Sequence, residues 1–125
     1  MNQTKVVNVK VAYIRPQYQN LEAWMQDSQN IYIGRGRIVF IDKKRFPEKD
    51  SIWANPYKVK KNELSKVIND YEIYIRSKLE KDPKLVKELL KLRGKNLGCW
   101  CKPSDCHGDV LVKLIQEYSK EKSKD

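Results

Sequence analysis

The residues able to do covalent or metal chemistry are concentrated in one stretch. Gly98-Cys-Trp-Cys-Lys-Pro-Ser-Asp-Cys-His-Gly-Asp-Val-Leu111 holds all three cysteines and the only histidine of the chain. Cys99, Cys101, Cys106 and His107 are therefore the candidate ligands for a metal, and zinc is the metal that this donor set suits. The spacing is an awkward one for a tetrahedral site. Cys99 and Cys101 share one face of an extended segment, about 6.6–7 Å apart along the chain. Cys106 and His107 are neighbours, and adjacent helical residues point about 100° apart. One ion could recruit three of the four, but all four require an irregular turn. A second reading makes the turn catalytic or ligand-gripping. Cys106 is then an activated thiolate or His107 a general acid/base, with Asp109 orienting the imidazole. Gly108 lets a ligand approach the backbone. A third reading is structural, with Cys99 above all packed beneath a sheet.

The elements around these residues set their positions. An apolar run through Trp100 reads as a buried strand, and Pro103-Ser104-Asp105 as a turn. Asp105 is a suitable N-cap for a helix whose apolar stripe is Val110, Leu111, Leu114, Ile115 and Tyr118. Cys106 and His107 thereby fall in a first helical turn, where unpaired N–H groups and the dipole favour negative charge.

Two further blocks break regular structure near expected strand ends. Tyr32-Ile-Gly-Arg35 leads into Gly34-Arg35-Gly36-Arg37, which is either a ligand loop using Arg35 or a hairpin turn before the strand Ile38–Ile41. Trp53-Ala-Asn-Pro-Tyr57 sits inside a long irregular stretch, Asp42 to Lys61. Asn55 before Pro56 is pushed toward extended backbone, which leaves its amide to bond a ligand. Trp53 either stacks on a base or plugs the core.

With all three blocks in order, the chain resembles the domain-of-unknown-function 4326 family of small domains. The Cys-Trp-Cys and Cys-His-Gly-Asp blocks are the specific part. Ala54 and Tyr57 are mild departures, standing where related sequences often have Gly and Phe. The resemblance implies a shared site and supplies no activity.

The rest of the chain supports these blocks. Val7, Val9, Val11 and Tyr13 alternate, which predicts a strand over Lys5–Tyr13 ended by Arg15-Pro16. Leu21–Asp27 reads as a short helix and Ile31–Ile33 as a strand. Asn62 is expected to cap a long helix to Lys81, striped by Leu64, Val67, Ile68, Tyr71, Ile75 and Leu79. Asp82-Pro83 opens another, which Gly94 stops. This order of strands and helices predicts an α/β fold. It would be a single small Rossmann-like domain, with a mixed or parallel sheet flanked by helices over 1–118, and a charged flexible tail over 119–125.

The 125 residues suffice for one core. No apolar run approaches the roughly 20 residues of a membrane span, and the first ten residues lack a signal-peptide core. Three clustered cysteines do not resemble a secreted disulfide framework, so a cytoplasmic, intracellular setting with reduced thiols is expected. The formal net charge is +10. Residues 35–61 carry nine Lys or Arg against three Asp or Glu, a bias that suits a nucleotide or nucleic acid. Lys-rich helix surfaces elsewhere read as ordinary solvated faces. The function expected is that of a small nucleotide- or nucleobase-processing, or nucleotide-binding, protein. The alternative is a non-enzymatic, zinc-stabilised module that binds nucleic acid.

Overall fold

A computed structural model describes residues 3–57, 64–100 and 106–123. Three strands form a parallel sheet: β1 (Lys5–Asn8), β2 (Asn30–Tyr32) and β5 (Asn96–Cys99), in the order β1-β5-β2. Both Lys5 and Asn30 stand opposite Asn96, so the two outer strands share one register on the central one. β3 (Val39–Ile41) and β4 (Lys44–Phe46) form a separate antiparallel ribbon. The helices are α1 (Val11–Ile14), α2 (Leu21–Gln26), α3 (Leu64–Lys81), α4 (Pro83–Leu90) and α5 (His107–Ser123). None of the described helices is long and apolar enough to cross a membrane.

The period-2 alternation of β5 divides the core. Leu97 and Cys99 face a cluster containing Tyr71, Ile75 and Leu79 of α3, Leu89 of α4, and Leu111 and Leu114 of α5. Gly98 faces the other cluster, with Val9, Ile14, Leu21, Trp24 and Tyr32. A Cβ on Gly98 would come within 2.5 Å of the Trp24 indole, so only glycine lets α2 seat its tryptophan on the central strand.

Several boundaries differ from those the sequence predicts. β1 stops at Asn8 instead of Tyr13. The Asn8 Oδ1 accepts the Lys10 N–H at 2.9 Å, a local bond that turns the chain out of the ladder and into α1. Val11 and Tyr13 are consequently exposed. α1 ends before Arg15, whose extended backbone suits the residue preceding a proline. The hairpin lies at Asp42-Lys43 and not at Gly34–Arg37, because β2 pairs with β5 while β3 returns through β4. Asp42 and Lys43 both take positive φ, 51° and 68°, the backbone of a two-residue primed turn. β4 also shortens the irregular stretch expected from residue 42.

The helices follow their punctuation more closely. The Asp82 carboxylate accepts the Lys84 N–H at 3.0 Å with Pro83 at the first helical position, and Gly94 takes φ 75° beyond α4. The Asn62 cap and the Asp105 cap lie outside the described residues. α5 begins at His107 and continues through Ser123, beyond residue 118 where a flexible tail is expected.

Candidate functional site

The loop leaving β2 is held from all sides. Ile33 N–H bonds the Gly98 carbonyl at 3.0 Å, and the Gly34 carbonyl accepts from Ser51 N–H at 3.0 Å. The Tyr32 hydroxyl donates to the Arg35 carbonyl at 2.6 Å and accepts from Trp100 Nε1 at 2.7 Å. The Arg35 side chain is fixed too, with Nε and Nη2 donating to the Asn55 carbonyl at 3.1 and 2.9 Å. Two of five guanidinium N–H groups are thus used, which leaves three without a partner among the described residues. Burial pushes the Tyr32 phenol up to about 12, so it remains a donor at ordinary pH.

Asn55 contributes in a different way from that expected. Its backbone carbonyl grips Arg35, and its Oδ1 accepts the Tyr57 N–H at 2.9 Å in a local turn. Only the Nδ2 group of its amide remains without a hydrogen-bond partner among the described residues.

Arg35 and Asn55 line a cleft of about 470 Å³ with Asp50, Ser51, Tyr74 and Lys78 among its other walls. The Lys78 ammonium lies 4.8 Å from the centre of the Tyr74 ring, a cation–π contact. Asp50 accepts the Gly36 N–H at 2.7 Å. Two cations against one carboxylate give the cleft a positive balance. An anion, bonded by Arg35 and Lys78, is the ligand class that these walls suit.

His107 stands behind this loop. Its Nε2 is 2.8 Å from the Ile33 carbonyl, two residues before Arg35. A carbonyl only accepts, so Nε2 carries the proton and Nδ1 presents its lone pair to Cys106 Sγ, 3.6 Å away. Burial, with Arg35 nearby, holds the imidazole below its usual pKa although the Ile33 bond acts the other way. The neutral ring is therefore favoured. Tyr71 meets the ring edge-on at 5.0 Å and donates its hydroxyl to the Trp53 carbonyl at 2.7 Å. The Tyr32, Trp53 and Cys106 blocks thus converge on one backbone loop.

The helix start is built as a reciprocal cap. The Cys106 sulfur accepts the Gly108 N–H at 3.4 Å, and Asp109 Oδ2 accepts the Cys106 N–H at 3.0 Å. Asp109 is a capping residue here; the Ile33 carbonyl takes the orienting role on the imidazole. Cys106 and Cys99 are each 1% exposed, so the sulfur does not face solvent as a ready nucleophile.

The remaining candidate residues take other places in the fold. Trp53 is buried among core side chains and offers no face for stacking a base. Gly108 is a packing glycine: a Cβ would lie 2.8 Å from Val6 and 2.9 Å from Ile33, so the close approach is of α5 to the sheet and not of a ligand. Among the described residues, no three His, Cys, Asp or Glu side chains gather as a metal site. Cys99, Cys106 and His107 do not make one by themselves, and Cys101 lies outside the described residues. Lys78 and Tyr74 carry no sequence signal as site residues, because their spacing puts them on the outer face of α3. Tyr32 and Trp100 lie inside the motif blocks, but no sequence spacing shows that their side chains bond each other.

Residues 17–117 match the family described as Domain of unknown function (DUF4326). Over 30 residues the chain is 47% identical to an uncharacterized 12.4 kDa protein in the nrdA-td intergenic region of Enterobacteria phage T4. That match covers 24% of this chain and 28% of the phage protein. No solved structure matches the chain.

Proposed function

The chain belongs to the DUF4326 family, and from the geometry of its site we propose that it is a nucleotide-binding protein. The phosphate of the ligand sits between Arg35 and Lys78, and its ring lies against Tyr74. The observation that carries this reading is the restraint on Arg35. Its carbonyl is bonded by Tyr32 and its guanidinium by the Asn55 carbonyl, yet three guanidinium donors at the wall of a positive cleft have no partner among the described residues. Ordering an arginine before the ligand arrives lowers the entropy lost on binding. His107 serves as a positioning residue, since its bond to the Ile33 carbonyl fixes the backbone just before Arg35. The same reading takes the architecture as Rossmann-like. It is supported by three parallel strands with helices on both faces, and by a cleft beyond the carboxyl end of β2.

A second reading, nucleotide processing, is favoured by one contact. The Nδ1 lone pair lies 3.6 Å from Cys106 Sγ while Nε2 is held by a third group, an arrangement of nucleophile, base and orienter. It requires the buried sulfur to become reachable on ligand binding.

Calorimetric titration of a nucleoside, its monophosphate and its triphosphate tests the proposal. The phosphorylated ligands should bind and the nucleoside should not. Arg35→Ala should weaken binding roughly tenfold or more, as expected for lost charge-assisted hydrogen bonds. Equal affinity for nucleoside and nucleotide, or an Arg35→Ala variant that binds normally, would reject it.

A further inference from the structure

A second cleft, of about 620 Å³, opens beyond the carboxyl ends of β1 and β5. None of its walls belongs to the Arg35–Lys78 cleft. One wall comes from the sheet and α1, with Val11 and Trp100; the other comes from the β3–β4 ribbon, with Phe40. Lys10 and Arg15 line it, against the single carboxylate of Asp42. Arg15 uses Nε on the Gln19 carbonyl at 2.7 Å, and both its Nη groups remain without a partner among the described residues.

The ribbon itself is basic and aromatic. Lys43, Lys44 and Arg45 are successive and exposed. Phe40 is 66% exposed, with the Arg45 guanidinium 4.7 Å above its ring. A large ring left in water beside an apolar cleft, with a guanidinium over it and two more exposed lysines in the same ribbon, has the makings of a stacking platform with an electrostatic track. The cleft volume is in the range that holds one flat heterocycle. A base paired within a duplex cannot enter such a cleft, whereas an unpaired base can. Strands of three residues also present only about 10 Å of ribbon, little to fill a major groove.

We propose that this surface binds single-stranded nucleic acid, with one unpaired base in the cleft beside Phe40 and Trp100 and phosphates against Arg15, Lys44 and Arg45. It is a site separate from the nucleotide cleft and does not depend on it.

Fluorescence anisotropy with a labelled strand of about 12 thymidines, and with a duplex of equal length, tests this proposal. The single strand should bind, and the duplex at least about tenfold more weakly. Three phosphate contacts give a slope near −2 in log affinity against log salt, so affinity should fall about twentyfold between roughly 50 and 200 mM salt. Phe40→Ala should cost about five- to hundredfold in strand affinity, with an unchanged circular dichroism spectrum because the ring is exposed. Arg45→Gln should flatten the slope by about 0.7. Arg35→Ala and Lys78→Ala should leave strand binding unchanged. Equal duplex binding, a flat salt response or normal binding by Phe40→Ala would overturn the proposal. So would strand binding lost in Arg35→Ala but kept in Phe40→Ala.

Discussion

Replacing Tyr32 by Phe isolates the scaffold that holds Arg35. The substitution keeps the ring, which is 6% exposed in the Trp24 cluster, and removes one hydroxyl. Two partners are orphaned: the Arg35 carbonyl at 2.6 Å and the Trp100 indole N–H at 2.7 Å. A buried orphan costs about 1–3 kcal/mol. Arg35 and Trp100 are half-buried, so water reaches part of both groups and the lower end applies to each. The sum is about 2 kcal/mol. An unfolding entropy of about 2.1 cal/mol/K per residue, over this chain length, turns that into a fall in Tm of about 8 °C. Thermal denaturation followed by circular dichroism reads this value, and calorimetry on the same variant should show nucleotide affinity down severalfold. Gly34→Ala perturbs the same contact from the other side, because its Cβ would lie 2.5 Å from the Tyr32 hydroxyl. It should give a parallel loss. A Tyr32→Phe protein with Tm within about 1 °C of the parent and normal affinity would refute the role assigned to this hydroxyl.

Gly108→Ala should destabilise by about 1–3 kcal/mol in urea titration, since the new methyl would crowd Val6 and Ile33 beneath α5; unchanged stability would show that the helix can lift freely. His107 gives a pH signature. Its folded pKa lies below the ordinary 6.5, so the native state binds fewer protons than the unfolded chain as pH falls through that value. Stability should be level above about pH 6.5 and fall below it toward the folded pKa, by at most about 1.4 kcal/mol per pH unit, and His107→Gln should remove this slope. Glu72 and Glu117, held low chiefly by hydrogen bonds from Arg76, act below about pH 4.5 and outside that window. Cys99 and Cys106 should both react slowly with a thiol reagent until denaturant opens the core, with Cys106 no faster than Cys99; rapid native labelling of Cys106 would favour the processing reading, and labelling released by a chelator would favour zinc.

Local punctuation made much of the fold legible. Asp82-Pro83 and Gly94 act within a few residues of themselves, so the limits of α4 could be read directly. The strand that ends at Cys99 and the helix that begins at His107 are equally plain from apolar spacing. Alternation of Val7, Val9 and Val11 predicts a longer β1 than forms, because the bond that ends the strand belongs to the polar Asn8. The β3–β4 turn leaves little trace in the sequence, because neither Asp42 nor Lys43 is the glycine usual at positive φ. At the site, residue types drew attention to Arg35, Asn55 and His107. The sequence did not reveal that two of the three meet backbone carbonyls, since every residue has one and none is marked. Lys78 and Tyr74 enter the cleft only because α3 lies beside the 50–56 segment, a tertiary fact without local trace.

In the proposed function an arginine fixed in advance, with Lys78, receives the phosphate of a nucleotide. A crystal structure of the protein soaked with a nucleoside monophosphate tests it most directly. Phosphate oxygens should lie within hydrogen-bonding distance of Arg35 Nη1 and Lys78 Nζ, with the Arg35–Asn55 contact retained and the ligand ring against Tyr74. Phosphate bound at another place, or a cleft left empty at saturating ligand, would contradict it.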